Sequence, residues 1–318
     1  MRVSVIIPTY NSARTIQTTL ASVLCQNLAP LEILALDDGS TDNTIAVLRS
    51  YIPHVTVIQQ PNRGVAAARN SLVARAQGDL VAFLDHDDIW HPTYLEVQAT
   101  LYKRFPEVVA SFTGHVNFYG YGQYEWNENR CEVDRRTCVM DPVEFFRLYD
   151  TGPGRFGSAS FLCVPKSVLK AIGDEPFLEN ASGADDNYFC RLLPLLGPVV
   201  YAPVPLVAYR ITNEAQSRDQ LKAFKLGVDV FQALEKRYRD SPELVLRREF
   251  SRAFASKRRQ YAKTLLSAGR TSDARMELWC SLMNSFAPES IVRSLGLLGT
   301  TYLPASLQPR WPPLYREE

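Results

Sequence analysis

Four short apolar runs, each closed by a polar cluster, constrain this chain more than any other feature. Val3-Ser4-Val5-Ile6-Ile7 stops at Pro8, and residues 31–36 stop at Asp37-Asp38-Gly39-Ser40. Val55-Thr56-Val57-Ile58 leads to Asn62-Arg63-Gly64, and Leu80-Val81-Ala82-Phe83-Leu84 stops at Asp85-His86-Asp87-Asp88. Between them Ile16, Leu20, Val23 and Leu24, then Ile45, Val47 and Leu48, then the Ala-rich segment 65–76 keep helical spacing. Continuous apolar strands separated by helices predict a parallel sheet buried on both faces. Ligands of such sheets sit beyond the carboxyl ends of the strands, where all four polar clusters fall. Ser40 or Thr41 is the expected cap of the second helix.

Further along, 161–164 reads as a strand, 168–172 and 185–196 as helices and 199–201 as another strand, while 112–149 is mixed and yields no element. Composition shifts near residue 213. Residues 214–275 carry 15 Lys/Arg against 8 Asp/Glu, although the whole chain of 318 residues is nearly balanced at +1. Leu246, Phe250, Phe254, Tyr261 and Leu265 keep a helical spacing, with a turn expected at Ala268-Gly269. The basic tail reads either as a surface for an anionic membrane or as a solvated helix face packed on the rest of the chain. The near-zero net charge argues against a nucleic-acid partner bound by bulk charge.

Cys25, Cys131, Cys138, Cys163, Cys190 and Cys280 lack paired spacing, so free thiols in a reducing cytoplasm are expected rather than disulfides or structural zinc. His54, His86, His91 and His115 form no ligand pattern. The apolar run after Met1 is short of the roughly 7–15 residues of a secretory leader. No segment reaches the ~20 apolar residues of a membrane span.

Several clusters suggest chemistry. Three carboxylates within Asp85-His86-Asp87-Asp88 repel one another unless a cation joins them. They form either a metal–diphosphate site or a solvated acidic turn before the helix near Pro92. Asp38 is either part of a capping turn or an acceptor for a base or ribose. Gly64 and the alanines after it allow close approach of a ligand or of the sheet, with Arg69 available to a phosphate or to the acidic cluster. Asp185 and Asp186 begin a helix, either as dipole-favoured caps or as a base for an acceptor hydroxyl. The turn at Asn62-Arg63-Gly64 lacks the G-x-G-x-x-G spacing and no P-loop occurs, which counts against a dehydrogenase or a nucleotidyltransferase.

In this order, VSVIIPTYN, ALDDGSTDNT, NRGVAAARN, FLDHDDIW, ADDNYFCRLL and YAPVPLVAYR resemble the inverting family 2 glycosyltransferases over about residues 2–212. The resemblance implies a GT-A α/β fold: a mostly parallel, Rossmann-like sheet flanked by helices, followed by a C-terminal helical region. It divides the chain into a GT-A domain, 1–213, and a helical region, 214–318. Within the first, 1–110 would bind nucleotide and 111–213 would face the acceptor.

The implied activity is sugar transfer from a UDP- or dTDP-linked donor to a saccharide or lipid-linked acceptor, in cell-surface polysaccharide or glycolipid assembly. Mg²⁺ or Mn²⁺ would assist, and the protein would be cytoplasmic or peripheral at the inner face of the membrane. Pro8, Thr9, Tyr10 and Asn11 would line the nucleotide pocket, with Asp38 on the base, Arg69 and Asn70 close by, and Asp85 at the ribose or metal. Asp87 would ligate the metal, supported by Asp88.

Relatives read Glu-Asp with an Arg six residues after the Asp. Arg191 is six after Asp185, which favours Asp185 as the base and puts Ala184 in the place of the Glu; direct replacement of Glu-Asp by Asp-Asp would make Asp186 the base. A one-residue slip rotates a helical side chain by roughly 100°. The His that often follows Tyr-Arg is absent from Tyr209-Arg210-Ile211. The Ala184 departure also admits a nucleotide-sugar-binding pseudoenzyme.

Overall fold

In a computed structural model, the first apolar runs become β1 (Val3–Thr9), β2 (Glu32–Asp37), β3 (Thr56–Gln59) and β4 (Leu80–Phe83). They alternate with α1 (Ile16–Leu24), α2 (Thr44–Arg49) and α3 (Val65–Arg75). The structure describes residues 1–126, 136–151, 158–179, 184–211, 220–284 and 288–303. Cys131 and the division expected at 213/214 lie outside the described residues. Cys25, Cys138, Cys163, Cys190 and Cys280 are free thiols.

β1 pairs in parallel with β2 and β4, and β2 with β3. β1, β2 and β4 are covered on both faces, with Val5 and Ile7 in one apolar cluster and Ile6 in the other, whereas β3 at the sheet edge is half-buried to exposed. Continuous runs do not alternate because each side of the sheet is covered. Further strands follow: β5 (Ile89–Trp90), β6 (Ala110–Tyr119), β7 (Cys138–Met140), β8 (Leu162–Pro165) and β9 (Val199–Ile211). The order is β3-β2-β1-β4-β8-β6-β9-β5, with β7 also on β9. β8 runs antiparallel between β4 and β6, and β6 is parallel to β9, so the sheet is mixed beyond β4. Helices α4 (Tyr94–Arg104), α5 (Pro142–Thr151), α6 (Lys166–Ile172) and α7 (Asp185–Leu192) complete this part.

The expected cap of α2 needs correction. Ser40 Oγ accepts from the Asn11 N–H at 2.9 Å, and the Thr41 N–H donates to Asn11 Oδ1 at 2.8 Å. Both residues hold the preceding loop. Asp42 serves the helix start instead, accepting from the Thr44 N–H at 2.9 Å. These bonds hold Asn11 at a positive φ of 48°, which Asn tolerates better than most residues. Gly39 has a φ of 76°, and a Cβ there would sit 2.8 Å from the Asn62 nitrogen. Only glycine lets these two strand-end turns approach so closely.

The chain divides into two units, Met1–Ala215 and Gln216–Glu318. The second comprises α8 (Gln220–Arg239), α9 (Leu244–Ser267), α10 (Thr271–Met283) and α11 (Pro288–Thr300). The expected turn is present, with Gly269 at a φ of 74° after α9. Phe231 stacks on Phe254 with ring centroids 5.3 Å apart, and Tyr238 stacks on Phe250 at 4.1 Å. Within the unit the Arg258 guanidinium meets Glu277 at 2.6 Å.

Candidate active site at the carboxyl edge of the sheet

Each polar cluster follows the end of a strand, and hydrogen bonds fasten the clusters to one another. The Thr9 hydroxyl donates to the Leu36 carbonyl at 2.9 Å, and the Asp38 N–H donates to Thr9 O at 2.9 Å. Pro8 and Thr9 are therefore buried in β1, whereas the Tyr10 ring beyond them is 44 % exposed. Asp38 is buried and accepts three bonds: from Gln60 Nε2 at 2.7 Å, the Arg63 N–H at 3.0 Å and the Gly64 N–H at 2.7 Å. Its carboxylate fixes the entry to α3. Asp38→Ala leaves those donors without their acceptor and should cost about 1–3 kcal/mol. Chemical denaturation would read the loss.

Arg69 projects from α3 and is buried. Its guanidinium donates to Asp85 Oδ1 at 2.5 Å and also to Asp185, which is only 2 % exposed. It lies 5.5 Å from the centroid of the Phe177 ring. Two carboxylates far apart in sequence thus share one cation. Burial pushes the Asp85 carboxyl up, but the charge and hydrogen bond of Arg69 outweigh it and hold the group below its usual value. Ser158 Oγ also donates to Asp85 Oδ2 at 3.2 Å, and the Ser160 hydroxyl accepts from the Asp85 N–H at 3.0 Å. Asn70 acts on the backbone instead. Its amide donates to Phe177 O at 2.8 Å and accepts from the Phe177 N–H at 3.0 Å. It clamps the segment before α7.

The acidic cluster is divided among partners. Asp88 is buried, and its Oδ1 accepts from the Arg210 N–H at 3.0 Å while its Oδ2 has no partner among the described residues. The Thr19 hydroxyl donates to the carbonyls of His86 and Asp88, each at 2.9 Å. His86 turns towards α1, with Nδ1 3.4 Å from Thr15 Oγ1. Asp87 makes no ion pair among the described residues. Burial first, then the neighbouring Asp85 charge, raises the Asp87 carboxyl. Burial, with the charges of Asp87 and Asp85, raises Asp88 well above its usual value.

Arg210 is the residue whose importance its local sequence did not disclose. From the end of β9 its guanidinium donates to Asp87 O at 2.6 Å, to Gly120 O, to Gly122 O at 3.3 Å and to Thr18 Oγ1 at 3.2 Å. Its only signal was the Tyr-Arg dipeptide.

At the start of α7 two adjacent carboxylates differ. Asp185 is neutralised by Arg69. Asp186 is half-buried, and burial together with the Asp185 charge pushes its carboxyl up to about 7. Arg191 instead donates to Asn187 O at 3.1 Å and lies 4.7 Å from the Tyr149 ring centroid.

Asp85, Asp87, Asp88, Asp185 and Asp186 therefore stand against the guanidinium groups of Arg69 and Arg210. The raised Asp87 and Asp88 and the orphan Asp88 oxygen fit a site that gains from a hard cation. Among the described residues no group of three or more His, Cys, Asp or Glu side chains forms a ligand set. Such a cation would need donor phosphate oxygens as well, the usual arrangement for Mg²⁺.

A mixed, helix-flanked sheet with acidic clusters at its strand ends is a GT-A α/β fold, and comparison with solved structures agrees. Residues 4–166 match the sequence profile of Glycosyl transferase family 2, and the chain belongs to that family. It is 40 % identical over 150 residues to the uncharacterized glycosyltransferase YibD of Escherichia coli K12, covering 46 % of this chain and 43 % of YibD. It is 36 % identical over 135 residues to the UDP-Glc:alpha-D-GlcNAc-diphosphoundecaprenol beta-1,3-glucosyltransferase WfgD of Escherichia coli, covering 42 % and 49 %. The matched region thus spans less than half the length of both relatives. S. aureus TarS 1-349 in complex with UDP shares the fold, with a TM-score of 0.68 at 18 % identity, over 92 % of this chain and 83 % of that one. No helix among the described residues is long and apolar enough to cross a membrane.

Proposed function

We propose that the chain transfers a hexosyl group from a nucleoside diphosphate sugar, UDP- or dTDP-linked, to a hydroxyl of a saccharide or lipid-linked acceptor. The setting is assembly of a cell-surface polysaccharide or glycolipid, at the inner face of a membrane where such acceptors are presented. The observation that carries this reading is the convergence of Asp85 and Asp185 on Arg69, with Asp87 unpaired beside them. The family membership supports it, as do the activity for which WfgD is named and the UDP complex of TarS.

On the donor side, Pro8, Thr9, Tyr10, Asn11 and Asp38 form the wall nearest the nucleotide, and the exposed Tyr10 ring offers a stacking face. Arg69 holds Asp85 ionised at the ribose side, and Asn70 keeps α7 in place through Phe177. A divalent cation, Mg²⁺ or Mn²⁺, held by Asp87 and the donor diphosphate with Asp88 behind it, would offset charge on the leaving group. Asp186 takes the proton from the acceptor hydroxyl as that oxygen attacks the anomeric carbon opposite the departing nucleoside diphosphate. One displacement of this kind inverts the anomeric centre, through a transition state of oxocarbenium character. The spacing to Arg191 favours Asp185 for the base; its burial and its bond to Arg69 leave Asp186 better placed to receive a proton.

Calorimetry of UDP binding with and without Mn²⁺ tests the donor side. Asp87→Ala should weaken metal-dependent UDP binding by more than the roughly 10–100-fold expected from losing a supporting residue. Equal UDP affinity in both proteins, with the same dependence on Mn²⁺, would remove Asp87 from the site.

A further inference from the structure

We propose that α9 and α10 of the C-terminal unit form a surface that docks on an anionic phospholipid bilayer. The proposal deepens the function above and rests on it only in that a lipid-linked acceptor is met at a bilayer. α9 carries seven basic residues and one acidic residue. A groove of about 820 Å³ opens between the ends of α8, α9 and α10, and Arg239, Arg247, Arg248 and Arg252 line it. Arg239 is engaged by Glu235 at 3.1 Å. Arg248 and Arg252 are exposed and make no ion pair among the described residues, and Arg247 Nε is buried there without a hydrogen-bond partner. Arg247, Arg248 and Arg252 are the anion-seeking part of a rim that Glu235 and Glu249 also line.

The same groove is bordered by Met283, which is 79 % exposed. Met283 continues a stripe along α10 with Trp279, 55 % exposed, and Met276, 61 % exposed. Spacings of three and four residues place all three on one helix face. Water-facing Trp and Met on one stripe, beside unpaired arginines, combine the two attractions of an interfacial helix: apolar insertion and charge towards anionic headgroups. A second copy of the chain suits the patch less well. A two-fold contact would set the patch against itself and bring the arginines together.

The test is flotation of the full chain with vesicles of phosphatidylglycerol and phosphatidylcholine, against vesicles of phosphatidylcholine alone. Binding is expected with the anionic vesicles only, and it should weaken as salt rises. Arg248→Gln with Arg252→Gln should lower partitioning about 30-fold. Trp279→Ser with Met283→Ser should remove the binding that survives high salt. Melting curves by circular dichroism identify any variant that fails to fold. For the unaltered chain, quenching of Trp emission by brominated lipid, absent in Trp279→Phe, provides an independent reading. No flotation with anionic vesicles would overturn the proposal, as would flotation unchanged in both folded double variants. Self-association of the native chain that Trp279→Ser with Met283→Ser abolishes would assign the patch to a second copy and overturn it too. Transfer to a soluble acceptor is measured separately: flotation without transfer counts against the enzymatic reading alone, and transfer without flotation against the docking surface alone.

Discussion

Asp186→Asn should lower turnover about 10²–10⁴-fold, the range expected when a general base is lost, while leaving UDP binding nearly unchanged. Asparagine keeps the size of the side chain but cannot take a proton. The native enzyme should show a matching pH limb. The base works only when ionised, so kcat/KM should rise with pH towards about 7, where burial and the Asp185 charge place Asp186, and level off above it. Asp185→Asn removes one of those two causes and leaves Arg69 closer to balance with Asp85 alone. The limb should then move to lower pH, only in part, because burial is the larger cause and remains. Rate profiles for the two variants separate the candidates. Loss of transfer in a folded, UDP-binding Asp185→Asn protein, with Asp186→Asn active, would return the base to Asp185.

Arg69→Ala should destabilise the fold by about 3–5 kcal/mol, as expected when one partner of a buried ion pair is removed and the other is left uncompensated. Here two carboxylates lose their shared cation. The pH dependence should change sign as well as size. In the native protein the Asp85 carboxyl lies below its ordinary value of 3.8, so its contribution is present above that value and is lost as pH falls through the depressed one. Without Arg69, burial remains the largest influence and should outweigh the smaller effects of the His86 charge and the Ser158 hydrogen bond, raising the group. The variant should then gain relative stability as pH falls and lose it as pH rises through the raised value. Urea unfolding across acid pH measures both slopes. Parallel curves for the two proteins would show that Arg69 does not set the ionisation of Asp85.

The sheet was legible because β1, β2, β3 and β4 are continuous apolar runs whose ends are marked by turn residues, a signal that depends only on near neighbours. The segment 112–149 was not. β6 begins buried on both faces and ends half-exposed, and its pairing with β9 shifts register around Gly114. A Cβ at Gly114 would stand 3.0 Å from the Val204 carbonyl oxygen, a constraint set by a strand some 90 residues later. The site shows the same limit. The cluster Asp85-His86-Asp87-Asp88 announced itself, but the division of labour within it did not. Asp85 goes to Arg69 and Asp88 to the Arg210 backbone, contacts 16 and 122 residues apart in sequence. Asn70, expected beside the nucleotide through the family resemblance, clamps Phe177 across 107 residues. Spacing to Arg191 favoured Asp185 over Asp186, because nothing in the local sequence shows which of them Arg69 reaches.

Arg210 grips its neighbours mainly through main-chain oxygens: those of Asp87, Gly120 and Gly122. A carbonyl is common to every amino acid, so this anchor does not depend on the identity of the side chains it fastens. Nothing lies within 4 Å of where a Cβ at Gly122 would project. A side chain could replace the hydrogen there without loosening the hold on Asp87, whereas Gly120, at a φ of 89°, and Tyr124 and Trp126, packed on Phe118 and His91, are constrained by their surroundings. A bolt that bears on the main chain in this way secures the acidic cluster while leaving one rim position open to change.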